Sequence, residues 1–425
     1  MRILVATWGS YGDLHPALGL ALGLRARGHD VVVATSPMFH DEVTREGLAF
    51  APVGPDIDPS DRDRIARIMD PAKGSEYLFR QVLMPALPQA YADLRPVMDG
   101  IDLVISHPVT FAARLLAEEL HVPWASMVLA PISFFSAHDM PVLPPAPWVK
   151  RIADRSPLIG RALVGLARRM TRSWSVPIAE LRAARGLGPG GNPVFEGQHS
   201  PQLVLALFSR VLAKPQPDWP ANVVVTGAIT YNGPEPETLP PALEAFLATG
   251  SAPVVFTLGT SAVGAAGRFY AESAAAVRRI GRRAVLLVGR HPENLQGVDA
   301  GTDVIAVEYA PHAALFPRAA AIVHQGGAGT LHHALASGHP MIVVPHAHDQ
   351  PDNADRARRL GVARVVGPHR YTAARVATTL AELLDDRAVA TATARVSAVV
   401  RSEDGVRAAC DAIDAQFTGS PVPSS

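Results

Sequence analysis

The chain has 425 residues, 48% hydrophobic and 18% charged, so it can bury two cores of ordinary size and is neither disordered nor fibrous. Its 39 Lys and Arg balance its 39 Asp and Glu, which excludes attraction of nucleic acid or an anionic membrane by overall charge. A single cysteine, Cys410, excludes an internal disulfide and points to a reducing compartment, the cytoplasm, and no window approaches the roughly twenty uncharged apolar residues that span a bilayer.

The first half repeats a short β-rich run, a turn and a helical pattern. Ile3 to Thr7 leads into a helix predicted from Pro16 to Arg27, and Val31 to Thr35 follows the Gly28-His29 stop. Gly9, Gly12, Asp13 and His15 break the opening apolar run before it could serve as a secretion signal. Asp56, Asp58, Asp61 and Asp63 have the D-x-D spacing that metal-dependent sugar transferases use, yet they sit in a polar loop and read as one. Leu103 to Ser106 feeds a helix running through Leu120, and Trp124 to Leu129 is the next strand. Alternation at this length implies a parallel sheet with helices on both faces and ligands beyond the carboxyl ends of the strands.

The proline-rich run Met140 to Trp148 can be neither regular helix nor central strand and is expected to wall a cleft. Arg151 to Trp174 sets Arg151, Arg155, Arg161, Arg168, Arg169 and Arg172 beside Leu158, Ile159, Leu163, Val164 and Leu166. It reads as a solvated face packed on its own domain, with a membrane-surface helix as the alternative.

After Leu203 to Ala206, the stiff segment Lys214 to Pro220 suits an interdomain linker. Strands then recur at Val223 to Thr226, Val254 to Leu258, Ala284 to Val288, Val304 to Glu308, Ala321 to His324 and Met341 to Pro345, a second doubly wound domain. The expected organisation is an N-terminal domain over 1–212, a linker over 213–222, a C-terminal domain over 223–400, a helix over 401–418 packing back toward the N-terminal domain, and a disordered tail over 419–425.

The most informative stretch is His324-Gln325-Gly326-Gly327-Ala328-Gly329-Thr330, where a buried strand enters a glycine turn that opens a helix. Convergent backbone N–H groups at the positive end of a helix suit a diphosphate, and glycines let the backbone approach it. His324 at the strand end could donate to a phosphoryl oxygen. A Gly-Lys-Ser/Thr triad is lacking and the spacing misses G-x-G-x-x-G, so neither a P-loop nor an ordinary dinucleotide site is read here. Beyond the strand from Met341, the polar run Pro345 to Ala354 contains Asp349 and Gln350, a carboxylate and an amide able to fork onto sugar hydroxyls. His324, His332, His333, His339, His346 and His348 raise zinc as a competing idea, discounted because no helical His pair carries an acidic partner.

Together these segments resemble the inverting GT-B glycosyltransferases of the UDP-glycosyltransferase superfamily (family 1), in the bacterial branch acting on natural products, lipids and phenolics. The resemblance covers essentially the whole chain and is strongest from Val304 to Leu360. It implies an α/β fold of two doubly wound Rossmann-like domains facing each other across a cleft, with no metal and no cofactor beyond the nucleotide-sugar co-substrate. In the donor site, Tyr309 and Ala310 would meet the nucleotide base, and His324 with Gly326, Gly327, Ala328, Gly329 and Thr330 the diphosphate. Thr260 and Ser261 would add a phosphate contact, Gly12 would join from the opening turn, and Asp349 and Gln350 would hold sugar hydroxyls. His332 stands where UDP-sugar-specific plant relatives carry a ribose-binding glutamate, which opens the donor to TDP-deoxysugars such as TDP-rhamnose as well as UDP-glucose.

The resemblance also assigns the opening turn. Plant relatives place their catalytic histidine three residues before a proline; counting back from Pro16 reaches Asp13, in the Gly-Asp-x-x-Pro form similar to sterol and antibiotic glycosyltransferases. Asp13 is therefore the expected base, with His107, at the end of the later strand, donating to it or sharing its charge. His15 would cap the turn or touch the acceptor. An apolar acceptor pocket is expected from Trp8, Phe79, Met84, Phe111, Phe134, Phe135 and Met140.

The expected activity is transfer of a hexose to a hydroxyl of a lipophilic acceptor such as a flavonoid, a phenolic or another natural product. A nucleotide-sugar epimerase or a metal-dependent hydrolase built on the histidines is the alternative. Nucleic acid and integral membrane contact are not expected, peripheral membrane contact is admitted, and the chain is expected to be a monomer or weak dimer.

Overall fold

Strands buried on both faces of a parallel sheet are continuous apolar runs, as the inner strands here are, and among the described residues thirteen strands build two sheets. A computed structural model of the chain describes residues 1–58, 61–231, 233, 238–299 and 301–419. In the first sheet lie β1 (Arg2–Ala6), β2 (Asp30–Thr35), β3 (Ala49–Pro52), β4 (Leu103–Ser106), β5 (Trp124–Val128), β6 (Leu203–Ala206) and β7 (Val223–Val225), in the order β3-β2-β1-β4-β5-β6-β7. In the second lie β8 (Val254–Thr257), β9 (Ala284–Leu287), β10 (Val304–Val307), β11 (Ala321–His324), β12 (Met341–Val343) and β13 (Ala363–Val365), in the order β10-β9-β8-β11-β12-β13. Every pairing is parallel, so within each sheet all carboxyl ends lie along one edge. Two Rossmann-like domains result, each with its own core of fully buried aliphatic side chains.

The chain divides into a first unit of residues 1–58, 73–231 and the C-terminal stretch from 403, and a second unit of 59–72 and 232–402. Three expectations change. The segment 214–220 is part of the first unit: Trp219 stacks on Phe134 at 4.0 Å, and β7 beyond it pairs with β6 rather than opening the second sheet. Residues 59–72 belong to the second unit, because the helix Arg62–Ile68 turns Ile65 and Ile68 onto that core, followed by buried Met69. The first helix, α1, spans Tyr11–Ala26 and starts five residues before Pro16. Ser10 and Asp13 form a reciprocal capping box that begins it early, and Pro16 lies inside.

The last helix, Gly405–Phe417, packs on α1: Arg27 reaches Asp411 at 2.6 Å and Asp414 at 2.8 Å. Gly23 permits this approach, since a Cβ there would lie 2.5 Å from Val406. Of the expected disordered tail only Gly419 is described; 420–425 lie outside the described residues. The aspartates of the polar loop have local partners: Asp56 accepts from Ser36 Oγ at 2.6 Å, and Asp61 caps the helix Arg62–Ile68.

Candidate active site

In the first unit, β1 and β4 are neighbours in register, with Ala6 opposite Ser106, so the turns that leave their carboxyl ends converge. One carries Asp13 and the other His107. Asp13 Oδ1 lies 3.8 Å from His107 Nε2, the distance of an electrostatic contact rather than a hydrogen bond. Asp13 Oδ2 accepts from Ser10 N at 2.8 Å and Ser10 Oγ at 3.3 Å. Gly9, at φ +143°, makes room for this fold-back, because a Cβ there would meet Oδ2 at 2.2 Å.

The Asp13 side chain is 29% exposed and that of His107 only 12%, so the carboxylate meets solvent and the imidazole stands behind it. Burial pushes the His107 pKa down and the Asp13 charge pulls it back up, leaving the ring neutral at physiological pH. Its Nδ1 is buried and has no hydrogen-bond partner among the described residues. This pair can accept a proton from a hydroxyl at the carboxylate, with a polarisable ring behind the charge.

His15 faces elsewhere. Its ring is edge-on to Tyr11 and Tyr231, each at 5.4 Å, and burial lowers its pKa to about 4. Gly12 donates its N–H to Ser10 Oγ at 3.2 Å as part of the cap.

The apolar set divides between lining and packing. Phe79 and Phe111 meet at 5.8 Å, with Trp174 5.9 Å from Phe79, and Met84 is buried. Trp8 is buried and donates Nε1–H to the Pro55 carbonyl at 2.6 Å. Phe134 is sandwiched between Trp219 and His199, at 4.0 and 4.9 Å, so both its faces are covered within the protein. Phe135 has a left-handed backbone (φ +45°) and rests on Phe195 at 4.5 Å. Met140 packs with Val149 and Ala153 in a satellite cluster.

In the second unit β8, β11 and β12 are adjacent, which lines up the turns 258–262, 325–330 and 344–350. The helix Ala328–Ser337 starts from Gly327, whose missing side chain leaves the first-turn amides uncapped. Gly326, at φ +90°, lies so near β12 that a Cβ would sit 2.8 Å from Val343 Cγ1.

His324 differs from expectation. It is fully buried, its Nδ1 accepts from Gly326 N at 3.1 Å and its Nε2 faces the Met341 sulfur at 3.4 Å, so in this structure the ring shapes the turn rather than offering an N–H to a ligand. Burial lowers its pKa to about 3 and keeps it neutral.

Two side chains not singled out from the sequence bind these turns together. Asn353 donates from Nδ2 to the Gly326 carbonyl at 2.9 Å and to Asp349 Oδ2 at 2.7 Å, joining the glycine turn to the loop that carries Asp349. Its place one helical turn after Asp349 is the sequence signal. Buried Gln325 lies between the turns: Cβ atoms built on Gly259 and Gly327 would meet its Nε2 at 2.1 and 2.8 Å. Its Oε1 is buried without a hydrogen-bond partner among the described residues.

Gln350 also departs from expectation, since its Oε1 accepts from His346 N at 2.9 Å and so braces its own loop. Thr260 is exposed and Ser261 half-buried beside Gly259, which has φ +61°. Beyond β10, Tyr309 is 52% exposed with its ring 6.4 Å from that of His312, and Ala310 is buried. His332 is buried, its Nδ1–H donates to the Ala328 carbonyl at 2.7 Å, and burial lowers its pKa to about 4. Other histidines of this segment also turn to backbone, His339 to Pro317 O and His346 to Val344 O. Among the described residues, no three His, Cys, Asp or Glu side chains come together as a metal site.

Two Rossmann-like domains of parallel strands give the chain the GT-B fold of glycosyltransferases. Residues 3–130 match the glycosyltransferase family 28 N-terminal domain, and residues 284–405 match the erythromycin biosynthesis protein CIII-like C-terminal domain. The chain is 33% identical to O-mycaminosyltylonolide 6-deoxyallosyltransferase of Streptomyces fradiae, over 97% of each chain. It is 30% identical to vancomycin aglycone glucosyltransferase of Amycolatopsis orientalis, over 100% of each. Among solved structures, the glycosyltransferase VinC in complex with dTDP superposes with a TM-score of 0.70 at 22% identity, over 99% of this chain and 100% of that one. The chain belongs to the bacterial natural-product glycosyltransferases of family 1.

Proposed function

We propose that this enzyme moves a hexose from a nucleoside diphosphate sugar to a hydroxyl of a lipophilic natural product by a single inverting displacement. The first unit supplies the base: Asp13 takes the hydroxyl proton as the oxygen attacks the anomeric carbon. The second unit supplies the leaving-group site, where the first-turn amides of the helix Ala328–Ser337 meet the charge developing on the diphosphate. Preorganised donors of this kind contribute most to such barriers. The mechanism calls on no metal, because the fixed amides take the part a cation would play. The observation that carries the reading is the uncapped glycine turn joined to Asp349 through Asn353, a diphosphate cradle and a carboxylate held in one frame.

For the donor we favour a TDP-deoxyhexose over UDP-glucose. His332 presents a neutral imidazole, bonded to its own helix, at the position where UDP-specific relatives are expected to hold ribose with a carboxylate. Among the relatives' names, one transfers a 6-deoxyallosyl group and one solved neighbour holds dTDP, which favours this donor, while another is a glucosyltransferase, which keeps UDP-glucose in the test. For the acceptor, Phe79, Phe111 and Trp174 suit an aromatic or polyketide-like molecule. The test is incubation with TDP-rhamnose or UDP-glucose plus a panel of macrolide, phenolic and glycopeptide aglycones, with and without chelator, following nucleotide release and product mass. Acceptor-dependent release of nucleoside diphosphate, unaffected by chelator, is expected. Conversion of the sugar nucleotide without an acceptor would mean an epimerase.

A further inference from the structure

The helix Pro157–Met170 has a wider apolar arc than its own unit covers. Gly160 is buried and Leu163, Val164 and Ala167 are partly so, which marks its inward side. Leu158, Ala162, Leu166 and Met170, each four residues after the last, wind along the outer flank as one stripe. Leu158, Leu166 and Met170 are 71%, 53% and 72% exposed. The short helix Trp148–Ala153 packs on the inward side through Val149 and Ala153 and leaves Trp148 60% exposed.

Charge follows the same segment. Residues 148–176 hold seven Lys and Arg against the single acid Asp154, in a chain whose charges balance over its whole length. Lys150 is buried on Asp154 and Arg168 pairs with Glu196, but Arg151, Arg155, Arg161, Arg169 and Arg172 are exposed. Soluble monomers rarely leave so many large apolar side chains together in water. A convex stripe offers no groove to a folded partner, whereas a lipid surface adapts to it.

We propose that this face seats the enzyme on an anionic phospholipid surface. Leu158, Leu166 and Met170 would enter the acyl boundary, Trp148 would lie at the headgroups and the arginines would meet lipid phosphates. Lipid contact by this face does not depend on the proposed reaction, so failure of either leaves the other standing.

The test is co-sedimentation of the full chain with vesicles of phosphatidylcholine alone or mixed with phosphatidylglycerol. Each arginine near an anionic surface shifts partitioning about fivefold, so two engaged arginines favour the mixed vesicles by about 25-fold. The pairs Leu166→Glu with Met170→Glu, and Arg161→Glu with Arg169→Glu, should each return the protein to the supernatant while melting as wild type does, since these positions are exposed. The proposal is overturned if wild type ignores the mixed vesicles or if the variants sediment with them equally. It also falls if sedimentation velocity finds a dimer that Leu166→Glu dissociates, because the stripe would then belong to a second copy.

Discussion

Substitution can separate the observed capping role of Asp13 from its proposed role as the base. Its Oδ2 closes the capping box of α1 through Ser10, and its Oδ1 looks toward His107 at 3.8 Å. Loss of such a cap costs about 1 kcal/mol, which in a chain of this size lowers the melting temperature by only about 2 °C. Loss of a general base costs about 10² to 10⁴ in turnover. Asp13→Asn keeps an oxygen for the Ser10 amide and removes the basicity, so it should melt within about 1 °C of wild type and lose turnover by about 10² or more. Asp13→Ala should lose the same turnover and the cap as well. Ser10→Ala is the control, giving up part of the cap with turnover largely retained. Initial rates of nucleoside diphosphate release at saturating donor and acceptor, with melting curves alongside, make the comparison. If Asp13→Asn turns over at the wild-type rate, the carboxylate is a helix cap and the proton goes elsewhere.

Asn353→Ala strands the buried Gly326 carbonyl and releases Asp349; at about 1–3 kcal/mol for an unsatisfied buried group, donor KM should rise about tenfold and stability fall, as kinetics and denaturant titration will read. Gly326→Ala places a Cβ 2.8 Å from Val343 on a left-handed backbone that alone costs about 1–2 kcal/mol, so it should weaken donor binding measured calorimetrically, whereas Gly329→Ala, with open space around it, should be mild. Burial holds His15, His199 and His332 near about 4 and His324 near about 3, all below their ordinary 6.5. The unfolded chain therefore gains protons first as pH falls, so this stability is full above about pH 6.5 and is lost toward about pH 4, at up to about 1.4 kcal/mol per pH unit for each histidine. Denaturant midpoints measured between about pH 7 and about pH 5 should drop steeply; a flat profile contradicts the burial argument.

Much of this architecture was legible because parallel strands announce themselves as short apolar runs, and His324 to Thr330 combines strand, glycines and helix start in seven residues. What was not legible depends on distant partners. The early start of α1 needed the Ser10–Asp13 box to be weighed above Pro16. The stiffness of the segment around Pro217 suggested a linker, yet Trp219 found the face of Phe134 and drew it into the first unit. His324 looked poised to donate outward, but the sulfur that takes its Nε2 comes from the start of β12, which spacing alone does not place beside it. Gln325 and Asn353 act by bridging turns from separate strands, a relation visible only once β8, β11 and β12 are neighbours.

The proposed reaction is one displacement at the anomeric carbon by a hydroxyl that Asp13 would deprotonate. Proton NMR of the glycoside formed from an α-linked TDP-hexose measures it directly, through the anomeric coupling constant. A β-linked product, made by wild type and not by Asp13→Asn, is the predicted result. An α-linked product, or the same β-linked product at equal rate from Asp13→Asn, contradicts it.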